Sequence, residues 1–139
     1  MTETAMFGLF KKRNPDAENH AEFVATMQLI VVIPLQMAGK KPTDALTDFW
    51  AIGYIYGASI AVLGKRGIEG DGLMPYLIAA YGSIFETEAK GKAVIQFSIK
   101  ASGEDAKFDA GVNDGIEDVD KWNNVHIPIK LAFHFQKSA

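Results

Sequence analysis

"AVIQFSIKA", residues 93–101, decides the fold class of this chain. Ile95, Phe97, Ile99 and Ala101 fall on one side and Gln96, Ser98 and Lys100 on the other, which predicts a half-buried strand. "VHIPIKLAFHFQ", residues 125–136, alternates in the same way. Val125, Ile127, Ile129, Leu131, Phe133 and Phe135 would face the core, with His126, Pro128, Lys130, Ala132, His134 and Gln136 outward. Pro128 cannot donate to a ladder, so this strand is expected at an edge or a bulge. The two strands, at about 93–101 and 124–136, make a small C-terminal sheet.

Upstream the period is that of helices. Asn14-Pro15 is a good entry for a helix over about 15–38, with Gly39 as its stop and Pro34 as a kink. The β-branched run Ile30–Ile33 leaves a buried strand open as an alternative there. A second helix, about 43–63, is apolar all round from Phe49 to Leu63 and is expected to be the most buried element. A third runs over about 72–89, capped by Asp71 and ended by Gly91. The expected architecture is therefore α+β: three helices covering one face of the sheet. Residues 14–139 form one domain, and residues 1–13 an N-terminal arm suited to docking on a protein partner.

Gly53, Gly57 and Ala61 recur every four residues and form a smooth stripe on the second helix. Two glycines cost a helix about 1 kcal/mol each relative to alanine, so they call for a packing reason. Contact with another helix of the chain is the simplest; a homodimer interface and a flat ligand lying on the stripe are the others. A homodimer would also complete a core that two strands close poorly.

Composition removes several classes of function. The chain has 139 residues, enough for a core without staples. It has no cysteine, which excludes thiol catalysis, disulfides and cysteine-ligated metal. Net charge is −3, and seven of the ten acids in the second half lie between Glu104 and Asp120, so no basic face is offered to nucleic acid. The runs Met27–Ala38 and Phe49–Leu63 fall short of the roughly 20 residues of a spanning helix. Stable membrane insertion is not expected; a cytoplasmic location is.

No catalytic constellation and no cofactor motif emerges. "GDGLMP" at 70–75 lacks the third glycine of a dinucleotide loop. "DAGVNDGIEDVD" at 109–120 fails the calcium-loop pattern, because Ala110, Val112 and Lys121 would occupy ligand positions. His126 and His134 would lie roughly 26 Å apart along a strand, or about 12 Å along a helix, too far to share one metal. They read as solvent-facing. The polar aromatics Trp50, Tyr54, Tyr76 and Tyr81 remain, each needing a partner for its N–H or O–H. They mark a possible ligand pocket between the second and third helices. Two functions follow: a non-catalytic, homo-oligomeric interaction or regulatory protein, or a carrier or sensor of a small apolar or aromatic ligand.

Overall fold

The computed structural model describes residues 15–123 and 125–138, so the arm at residues 1–13 lies outside the described residues. Among the described residues there are seven α-helices and no strand. The α+β expectation is overturned: the described residues form helices and no sheet, and none of them offers a sheet edge for pairing between subunits.

The helices are α1 (Pro15–Met27), α2 (Ile33–Met37), α3 (Phe49–Lys65), α4 (Leu73–Ile84), α5 (Glu88–Ala101), α6 (Ala106–Asp120) and α7 (Lys130–Ser138). α1 and α2 are one rod joined by a π-helical segment, Gln28–Val32, in which the Ile33 N–H reaches back five residues to the Gln28 carbonyl. Pro34 explains that widening. It has no N–H, and its ring would clash with the carbonyl four residues back. The left-handed Gly39 (φ 74°) ends the rod. A continuous helix over Glu18–Met37 is long and apolar enough to cross a bilayer, and a third of it is buried against the rest of the molecule.

The first proposed strand is helical, and the second is irregular over 125–129 and helical from Lys130 on, for a reason their residues disclose. In α5 the buried positions are Gly91, Val94, Ile95, Ser98 and Ala101, a spacing of three and four, whereas Ile99 is 50% exposed. Small residues do much of the inward packing, so the apolar letters alone misstate the period. The helix is also well started. The Thr87 hydroxyl accepts from the Lys90 N–H (3.1 Å), and the Lys90–Glu86 and Lys92–Glu88 ion pairs reinforce the first turns. The third helix likewise ends early. Glu86 has φ 82°, breaking α4 from α5, and Gly91 does not stop a helix. A side chain there would meet the Gly82 backbone at 2.6 Å, so Gly91 lets α5 lie against α4.

The segment 125–136 splits likewise. Pro128, Leu131, Ala132 and Phe135 are buried, while Val125 is 91% exposed and Phe133 also points outward. The acidic stretch at 109–120 belongs to α6, capped by Asp105, whose carboxylate accepts from the Phe108 N–H (2.9 Å).

α3 sits at the centre, buried nearly all round, as its uninterrupted apolar run implies. α6 runs beside it in the same direction at close range. A Cβ on Gly53 would come within 2.0 Å of the Phe108 carbonyl oxygen, and one on Gly57 within 2.1 Å of Val112 O. From the other side, a Cβ on Gly111 would come within 2.0 Å of Trp50 O and one on Gly115 within 2.3 Å of Tyr54 O. The glycine stripe thus has its occupant inside the chain. Gly53 and Gly57 are covered by α6, and Ala61, one turn on, is partly buried.

Candidate functional site

The parallel contact brings side chains 64 positions apart into rungs. On the first, the Trp50 indole N–H donates to Asp114 Oδ2 (2.9 Å). One turn further, the Tyr54 hydroxyl donates to Asp118 Oδ2. Asp118 is 1% exposed and is fully engaged. It also meets His126 Nε2 at 2.7 Å and accepts from the Lys130 backbone N–H (3.3 Å), so it starts α7 as well as bridging α3 and α6. A buried carboxylate is tolerable only with such a set of donors.

α7 closes the site. The Lys130 ammonium contacts Glu117 (3.1 Å) and Asp114 (3.9 Å). Burial works to lower its pKa, but the hydrogen bond to Glu117 and the charges of Asp114, Glu117 and Asp118 outweigh that and hold it above the usual lysine range. The same bond, with the charges of Lys121 and Lys130, holds Glu117 below its ordinary value. His134 Nε2 lies 2.7 Å from Asp48 Oδ2, while the other oxygen of Asp48 caps α3 by accepting from Ala51 N–H (3.0 Å). The His134 ring stacks on Trp50 (centroids 4.2 Å apart), and Trp50 in turn stacks on Tyr54 (5.3 Å).

Against this frame opens a cleft of about 590 Å³, lined by Trp50, Asp114, Lys130, Phe133, His134 and Gln136. The size is that of a small-molecule site, and the lining is of the usual kind: aromatic walls with a few convergent polar groups. No group of three potential metal ligands occurs among the described residues. The histidines anticipated as solvent-facing are instead each held by a carboxylate and are about one-third exposed. They remain on separate partners.

Of the four aromatics singled out from sequence, Trp50 and Tyr54 stack on each other, while Tyr76 and Tyr81 lie elsewhere. Trp50 lines the cleft and Tyr54 lies buried beneath it. Tyr76, on α4, packs edge-on against His20 and Phe23. Tyr81 is buried near Ser59, their oxygens 3.5 Å apart. The cleft lies between α3, α6 and α7, not between α3 and α4. Asp114, Asp118, Lys130, Phe133, His134 and Gln136 were not foreseen. One signal was available: each of the two Gly-x-x-x-Gly helices carries a four-residue polar pair, Trp50/Tyr54 and Asp114/Asp118.

Burial first, then the hydrogen bond and charge of Asp118, push the Tyr54 phenol far above its ordinary 10.0. Burial pushes Tyr81 up as well, partly offset by Ser59. Both phenols stay neutral when folded but ionise near pH 10 when unfolded. Their contribution is therefore complete below pH 10 and lost as pH rises beyond it, at roughly 1.4 kcal/mol per pH unit per tyrosine. Urea unfolding between pH 10 and 11.5 should show that slope reduced by one tyrosine's worth in Tyr81→Phe. An unchanged slope would mean that the Tyr81 phenol ionises in the folded protein.

No family model, no curated protein and no solved structure matches this chain.

Proposed function

We propose that this protein binds a small planar molecule with hydrogen-bonding edges in the cleft between α3, α6 and α7, as a carrier or sensor. The observation that supports this reading is the fixing of Trp50. Its N–H is tied to Asp114 and its ring is stacked with Tyr54 and His134, at the wall of a cavity of about 590 Å³. A preset aromatic wall spares a ligand the cost of ordering its own site. Phe133, 53% exposed, supplies a second apolar surface, and Asp114, Lys130 and Gln136 supply both donors and acceptors. Asp114, Lys130 and His134 are each already engaged, by Trp50, Glu117 and Asp48, which favours binding over turnover.

The reading is checked by titrating the intact protein with a set of heteroaromatic fragments and following the two indole N–H resonances. Fragments carrying a planar ring should shift Trp50 and the Gln136 side-chain amide at concentrations of about 1 mM or below, a binding free energy near −4 kcal/mol. Trp122, at the far end of α6, should not move. Gln136→Trp, which fills the cleft from an exposed position, should abolish those shifts without lowering the melting temperature. Absence of any Trp50 response, together with no retained small molecule in native mass spectra, would remove this proposal.

A further inference from the structure

The outer face of the first rod is apolar and uncovered. Leu29, Ile33 and Met37 are 52%, 44% and 57% exposed, and Ala21 and Ala25 continue the same four-residue spacing toward the N-terminus. In an unbroken α-helix a step of four overshoots a full turn, and the stripe would wind away around the rod. The wider π-helical turn at Gln28–Val32 takes back part of that drift, so the five residues keep to one side.

Their order is also self-complementary. Taken antiparallel about Leu29, the small Ala25 falls opposite the partner's Ile33, and Ala21 opposite the partner's Met37. Leu29 meets the partner's Leu29 on the axis. Small opposite large is what close helix packing requires, and a twofold axis repeats every contact twice.

We infer that this face binds a second copy of the chain, rod against rod, in an antiparallel twofold dimer centred on Leu29. The surface lies on α1, the π-helical segment and α2, apart from the cleft lining, and does not depend on the ligand-binding reading.

Absence of native cysteine makes the register directly testable in the full chain. Leu29→Cys should cross-link to itself with a short bismaleimide. Ala21→Cys alone should not, because two copies of residue 21 would lie about 24 Å apart along the axis. Ala21→Cys combined with Met37→Cys should cross-link efficiently. Leu29→Glu places two carboxylates face to face and should raise the dimer dissociation constant at least 100-fold, with the circular dichroism unchanged because the position is exposed. Any of three results would overturn the inference. The wild type could sediment as a single 15.2 kDa chain up to about 100 micromolar, far above what a specific interface needs. Ala21→Cys could cross-link as readily as Leu29→Cys. The monomer could bind lipid vesicles through this face without self-association.

Discussion

Replacing Gly53 by alanine is expected to destabilise the protein by about 3 kcal/mol, although the same change in an ordinary helix stabilises by about 1 kcal/mol. The sign turns on one contact. The added carbon would sit 2.0 Å from the Phe108 carbonyl oxygen and 2.9 Å from its carbon. No rotamer relieves the clash, because the obstacle is backbone. α3 and α6 must move apart, and every contact along their shared length loosens together. Gly111→Ala should behave in the same way, since its carbon would strike Trp50 O. Gly64→Ala, in the last turn of α3 with nothing within 4 Å, is the matched control and should be neutral or mildly stabilising. Urea unfolding of the three variants gives the comparison, with a fall of about 10 °C in melting temperature for Gly53→Ala. Equal behaviour of Gly53→Ala and Gly64→Ala would show that the two helices do not touch as described.

Asp118→Ala should cost about 4 kcal/mol, the larger of the two losses. Its carboxylate gathers the Tyr54 hydroxyl, the His126 ring and the Lys130 N–H at one nearly sealed point. Truncation strands the hydroxyl and the N–H without an acceptor, at about 1–3 kcal/mol for each buried group, and unties the entry of α7. Asp114→Ala, at a part-buried position, loses one bond to Trp50 and should cost about 1 kcal/mol. Hydrogen exchange adds a local readout. Amides of α7 should lose protection in Asp118→Ala before those of α4 and α5 do. A change of less than 1 kcal/mol would mean that Asp118 is not the tie between the three helices.

Helices that bury long side chains were legible in the chain; helices that bury small ones were not. Phe49–Lys65 declared itself through its unbroken apolar run, and Pro15–Met37 through its proline entry and its glycine stop. α5 and α7 were misread because Gly91, Ser98, Ala101 and Ala132 hold inward positions that carry no hydrophobic emphasis. Exposed Ile99, Val125, Ile127 and Phe133 supplied a false alternation of period two. α6 carried little apolar signal for the same reason: Gly111 and Gly115 lie on its inner face, and seven acids fall between Glu104 and Asp120. Of the cleft, Trp50 was visible as a polar aromatic in an apolar run. Its partners were not, because Asp114 and Lys130 acquire meaning only when α6 and α7 fold back on α3.

The same-direction pairing of α3 and α6 bears on how the chain reaches its native form. Neighbouring helices in a simple up-and-down bundle are joined by short turns, and their contacts are local. Here the central contact joins residues 64 apart in sequence, with the whole of α4 and α5 between them. That large loop must close before the glycine faces reward it, which costs more chain entropy than closing a helical hairpin does. Until α6 arrives, the bare backbone of α3 at Gly53 and Gly57 stands open to whatever else the cell presents.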